Sequence, residues 1–150
     1  MFKPHPTLKQ MLQHPKIMTE PEIEAYWNDW DKLGVACYDG NYVDLFLQSK
    51  AMITDCASFL TEYPCTGHSI IHLCSSNRKL KTMEPSKRLF STFYQAHNEE
   101  EMWRWFDEVL IKNQDSNRAE RLAAVEAAGL LKTDAARNIM DFLNGELYAD

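Results

Sequence analysis

Apolar residues follow two different spacings along this chain. Up to about residue 74, short apolar runs alternate with amphipathic stretches; beyond it, they recur at helical spacing. Leu8, Met11 and Leu12 share one face over residues 6–13, where Pro6 suits a first helical turn. Over residues 19–33, Ile23, Trp27, Trp30 and Leu33 form a stripe. Thr19 is the expected N-cap of that helix, and Glu20 and Glu22 meet its positive dipole end. "GVACYD" predicts a short strand at about 35–39, closed by the Asp39-Gly40 turn signal. Val43, Phe46 and Leu47 predict the inward face of a helix over 42–50. "AMITD" (51–55) and "SIIHLC" (69–74) read as buried strands, with a helical turn or two at 57–63 between them.

A polar, basic loop is expected at 75–88, carrying Arg78, Lys79, Lys81, Lys87 and Arg88. Such a run most often faces solvent, but its place after a strand's end also suits a grip on phosphates. Three helices follow over 98–113, 116–131 and 133–147. Asn98 caps the first ahead of three glutamates, and Thr133 or Asp134 caps the last. This order is that of half a doubly wound α/β domain, an open parallel sheet with a C-terminal helical tail.

Composition narrows the classes. At 150 residues one domain is expected, and 45% hydrophobic with 11% aromatic content excludes a disordered chain. A formal charge of −6 argues against nucleic acid as a general partner, because phosphate neutralisation needs a basic face. The cysteines Cys37, Cys56, Cys65 and Cys74 lack metal or redox spacing, so structural thiols in a reducing, cytoplasmic setting are expected. No apolar run nears the ~18 residues that span a bilayer, so any membrane contact is expected to be peripheral. No cofactor is expected. Met1 directly precedes what reads as a strand's last residues, which predicts a fragment of a longer protein.

Two constellations can carry chemistry. At the corner after 51–55, Asp55 ends a strand and residues 57–59 open a helix whose first N–H groups lack intrahelical partners. Such a start is an anion site, to which Ser58 adds a hydroxyl. At helical spacing, Glu62 lies on Ser58's face, within reach of a ligand hydroxyl. A plain helix cap explains Asp55 and Ser58 slightly better from the pattern alone. In "KPHP", Pro4 and Pro6 stiffen both sides of His5, beside Lys3, which suits phosphate binding or proton transfer; an incidental surface turn is the alternative. His68 and His72 read as packed strand histidines, not metal ligands. "WRWF" (103–106) reads as core with one exposed ring.

Taken together, "FKPHP", "NYVDLFLQSKAMITDCASFLTEY" and "TGHSIIHL" resemble the C-terminal half of the CDP-glycerol glycerophosphotransferase family, the teichoic-acid and capsule polymerases. The closing helices resemble that family's too, so the likeness runs over essentially the whole chain. It implies a glycosyltransferase-B-type fold whose Rossmann-like C-terminal domain holds a cytidine diphosphate donor. On this chain, 1–97 would be the donor-binding part and 98–150 helices packing on the same domain. His5 would contact the donor phosphates as the catalytic histidine, with Lys3 beside it. Asp55, Ser58 and the amides of Ala57 and Phe59 would cradle the pyrophosphate. Glu62 would take the family's acidic position, and Arg137 its late arginine. No metal is implied.

The implied reaction is in-line attack by an acceptor hydroxyl on the donor's β-phosphorus, releasing cytidine monophosphate. An N-terminal acceptor domain, absent from this chain, would supply the general base, so the chain alone is expected to be inactive. Attachment to the inner face of the cell membrane, at an anionic lipid surface, belongs to the same expectation. Three departures stand out: Ala57 replaces the first serine of a pair, Cys56 an aromatic, and His68-Ser69 a Lys-Pro. A sugar-nucleotide glycosyltransferase domain holding ribose with Glu62, or a non-catalytic remnant acting as a binding module, are the competing readings.

Overall fold

A computed structural model describes residues 1–14, 16–38, 41–75, 84, 86–131 and 134–147. The chain forms two compact units, Met1–Val43 and Asp44–Asp150.

The first unit holds two helices, α1 (Leu8–Leu12) and α2 (Glu20–Leu33). Thr19 starts α2 as expected: its backbone N–H and its hydroxyl both donate to the Glu22 carboxylate, each at 2.7 Å. Those hydrogen bonds hold the Glu22 carboxyl below its ordinary pKa. Gly34 ends the helix at φ +64°, where a residue without Cβ carries no steric penalty. Ile23 is fully buried, and Phe2 stacks on Trp30 with ring centroids 4.2 Å apart. Leu33, expected on the inward stripe, is instead 68% exposed.

Over its described residues, 35–38, the expected strand is reduced to one parallel bridge between Phe2 and Ala36, and the expected Asp39-Gly40 turn lies outside the described residues. Phe2 N–H donates to Val35 O and Cys37 N–H to Phe2 O, both at 2.8 Å. Two short segments with one bridge between them do not extend the sheet. The strand end expected before "KPHP" is this bridge.

The second unit contains the sheet. Helix α3 (Val43–Gln48), which begins at the division between the units, leads into β1 (Ala51–Thr54). Of its expected inward residues only Phe46 packs on the core, while Val43 and Leu47 are exposed. Then come β2 (Ser69–Leu73), α4 (Ser86–Phe90), β3 (Tyr94–Ala96), α5 (Glu99–Trp105), α6 (Arg118–Ala127) and α7 (Ala135–Leu147). The three strands are parallel in the order β1-β2-β3, with Met52 opposite Ile70 and Ile71 opposite Tyr94. The α/β reading with a parallel sheet and C-terminal helices therefore holds. Its third strand is β3, not 35–39. Lys87 and Arg88, expected in a loop, lie in α4; Arg78, Lys79, Lys81 and Thr133 lie outside the described residues.

Side chains alternate across the sheet. One face carries Ile70, with Leu60, Tyr63, Leu89, Phe93, Ala124 and Val125 packed over it and Met52 against them. The other carries Ile71, Tyr94 and Ala96 beneath Val109, Met102, Trp105 and Phe106. Helix α5 is capped by the Asn98 side chain, which accepts from Glu101 N–H at 2.9 Å. It runs on as a wider π-helical segment, Phe106–Ile111, ended by Asn113 at φ +56°. Trp105 Nε1–H reaches the Gln95 carbonyl at 2.8 Å, which ties this layer to β3. Trp103 is the one exposed ring of "WRWF". Ile53, expected buried, is 40% exposed, because the residues covering its face pack over β2 and β3 and leave the edge strand bare.

At the opposite end of the strands from their carboxyl termini, Arg121 is completely buried. It pairs with Asp115 and donates to Gly67 O at 3.2 Å. Asp115 also accepts from Ser69 Oγ at 2.8 Å and Tyr94 Oη at 2.9 Å, so helix α6, the loop before it and two strands meet on one carboxylate.

Candidate functional site at the carboxyl edge of the sheet

In a parallel sheet the carboxyl ends of the strands all open on one edge, and the turns leaving them are where ligands bind. Here that edge is formed by Thr54-Asp55, by Leu73-Cys74 and by Ala96-His97.

After β1 the chain turns sharply. Thr54 Oγ1 accepts from Cys56 N–H at 3.0 Å, and Cys56 Sγ lies 3.0 Å from Ser58 Oγ. Asp55, Ala57 and Ser58 are exposed, and Phe59 is half-buried, edge-on to Phe46 at 5.1 Å between ring centroids. The helix expected at 57–63 is replaced by two 3₁₀ turns, Ser58–Leu60 and Tyr63–Thr66. Pro64, second in the later turn, has no N–H to give to Leu60 O, so an α-helix cannot run through from 57 into that turn. A single 3₁₀ turn still leaves its first N–H groups without partners inside the turn. It lacks the summed dipole of a long helix, so the corner offers amides and a hydroxyl rather than a strong positive end. The helical spacing that set Glu62 over Ser58 is also lost; Glu62 is exposed and precedes the second turn.

Lys3 and His5 belong to the first unit, the corner to the second. His5 is exposed, and its Nδ1 accepts from Thr7 N–H at 3.2 Å with Thr7 Oγ1 2.8 Å away. An accepting Nδ1 puts the ring proton on Nε2, which is a donor for an anion. Lys3 is half-buried. Arg137 is exposed on α7. The expected residues from Asp55 to Glu62 thus lie in one short stretch, with Lys3 and His5 in the other unit and Arg137 on a separate helix.

The edge holds more polar groups than the sequence reading named. His72 sits opposite Thr54 on one side and Gln95 on the other. Burial pushes the His72 imidazole below its ordinary pKa; the Asp55 charge opposes this and His97 adds to it. Its Nδ1 lies 3.5 Å from Cys74 Sγ, whose thiol is pushed up mainly by burial. On the other side of the sheet a hollow of about 240 Å³ is lined by Leu73, Ala96, His97 and Met102, among others. Among the described residues no group of three or more His, Cys, Asp or Glu is placed to hold a metal ion, and no helix is long and apolar enough to cross a membrane. Comparison with family models, with curated proteins and with solved structures finds no match to this chain.

Proposed function

We propose that this chain binds a nucleoside diphosphate donor at the corner after β1, as the donor-binding half of a CDP-glycerol or CDP-polyol glycerophosphotransferase in cell-surface polymer synthesis. One observation carries the reading: the Asp55-Cys56-Ala57-Ser58 turn, with Asp55, Ala57 and Ser58 exposed, leaves the carboxyl end of a parallel strand. That is where α/β sheets bind phosphorylated ligands. In the other unit, the "KPHP" segment holds the His5 proton on the outer nitrogen, a hydrogen-bond donor for a phosphate in its own right.

In the proposed reaction an acceptor hydroxyl attacks the β-phosphorus in line and cytidine monophosphate leaves. Ser58 and the amides of Ala57 and Phe59 hold the pyrophosphate. The acceptor and its general base come from a partner domain. Attachment to an anionic membrane surface belongs to the same proposal.

Calorimetric titration with CDP-glycerol, CMP, UDP and UDP-sugars tests this reading. Cytidine-selective binding is expected. Uridine selectivity would move the chain to the sugar-nucleotide glycosyltransferases, and absence of all binding would leave a non-catalytic module.

A further inference from the structure

The sheet face that carries Met52, Ile70 and Phe93 into the core changes character at its carboxyl end. Two residues further along each strand, by alternation, stand Thr54, His72 and Gln95. They form one row across all three strands, Thr54 opposite His72 and His72 opposite Gln95. Thr54 and His72 are half-buried and Gln95 is exposed, so the row opens outward. Neighbouring strands lie about 4.8 Å apart, so the row spans roughly 10 Å, enough to flank a small polyol or a ribose.

We propose that Thr54, His72 and Gln95, with Asp55 beside them, form a hydroxyl-binding subsite that reads a vicinal diol of the ligand; this rests on the nucleotide-donor reading above. Thr54 Oγ1 already accepts from Cys56 N–H, which leaves its hydroxyl proton to donate. Cys74 Sγ lies 3.5 Å from His72 Nδ1 and donates to the His72 carbonyl at 3.6 Å, so the imidazole offers the row a donor or an acceptor according to its tautomer. The Gln95 side-chain amide offers both a donor and an acceptor, and Asp55 accepts. A diol needs this mixture, because each hydroxyl gives one hydrogen bond and takes others.

Among the described residues, Asp55 acts on His72 and Glu101 on Cys74, and carboxylates so placed suit hydroxyls better than an anion. Burial disfavours a charged His72 most, and His97 acts the same way. A neutral imidazole hydrogen-bonds a neutral hydroxyl without the cost of a buried charge. In the sequence alone His72 reads as a packed strand residue, because Thr54 and Gln95 come beside it only through the register of the three strands.

The test is calorimetric titration of the full chain with CDP-glycerol, CDP and 2′-deoxy-CDP, in the parent protein and in His72→Ala and Gln95→Ala. The parent is expected to prefer a hydroxyl-bearing ligand by about three- to tenfold. Preference for CDP-glycerol over CDP assigns the row to the polyol, and preference for CDP over 2′-deoxy-CDP assigns it to the ribose. Either variant should flatten that preference and leave affinity for the ligand lacking the hydroxyl within about twofold. Gln95 is exposed, so its variant keeps the test decisive even where His72→Ala folds poorly. Variants that bind with the parent's preference, or a parent that binds all three equally, overturn the subsite and leave the donor reading standing. A chain that binds none of the three overturns both.

Discussion

The side chain of Ser58 caps nothing: its hydroxyl lies by Cys56 Sγ, and Ala57 stands at the N-cap of the turn. Ser58→Ala therefore separates ligand contact from structural support. It should leave the melting temperature unchanged and cost donor binding ~1.5–3 kcal/mol, the loss of a charge-assisted hydrogen bond, or tenfold and more in affinity. Ala57→Ser should be neutral or strengthening. A lowered melting temperature with unchanged nucleotide affinity would remove Ser58 from the site. Asp115 makes the opposite case, structural throughout. Burial pushes its carboxyl up, but hydrogen bonds from Arg121, Ser69 and Tyr94 and the Arg121 charge outweigh that and hold it below its ordinary value. A folded pKa below the unfolded one means stability that is present above the unfolded value, near pH 4, and lost as pH falls through the folded one. Asp115→Ala leaves a fully buried guanidinium uncompensated and should cost about 3–5 kcal/mol in urea denaturation. The variant should also lose the part of the parent's acid-dependent stability below pH 4 that Asp115 supplies. Parent and variant with equal urea midpoints at neutral pH would refute the pairing.

At the scale of elements, Gly67 joins the second 3₁₀ turn to β2 at φ +74°, and a Cβ there would meet Leu122 Cδ2 at 3.3 Å. Gly67 O also accepts from Arg121, so its backbone has little freedom to shift. Gly67→Ala should lower stability by about 1–2 kcal/mol, the cost of a left-handed residue with a side chain. Thermal melting would show this, and an unchanged midpoint would mean that the turn relaxes. What was legible in the sequence follows the strength of local signals. Helices α2 and α5 carry caps and acidic first turns, so both starts were readable at Thr19 and Asn98. Strands β1 and β2 were readable as apolar runs with turn residues between them. Strand β3 was not, because Tyr94–Ala96 is three residues long and its alternation shows only beside β2. Val35–Cys37 looked like a strand but gained one bridge to Phe2, since strand propensity without a ladder partner makes no sheet. The corner at 55–58 was legible as a turn after a strand. Pro64 marks where a first turn must end, since it has no N–H for Leu60 O, but a short turn before it can be α or 3₁₀. The row Thr54–His72–Gln95 is a product of register, which no single segment encodes.

On the scale of the whole molecule, apolar surface is unevenly spent. The sheet buries Ile70 and Ile71 completely, while α7 leaves Ile139, Met140, Phe142 and Leu143 between 47% and 65% exposed. On a helix, Ile139, Met140 and Leu143 share one side and Phe142 adjoins it, so the exposure is a continuous patch rather than scattered residues. A residue that buries little in the folded chain supports little of its stability. Phe142→Ser should therefore change the unfolding free energy by no more than about 0.5 kcal/mol. The same substitution should reduce binding of an apolar fluorescent dye and lower any concentration-dependent self-association seen by sedimentation. A fall of several degrees in melting temperature, with dye binding unchanged, would mean that Phe142 is packed in solution and that the patch does not exist.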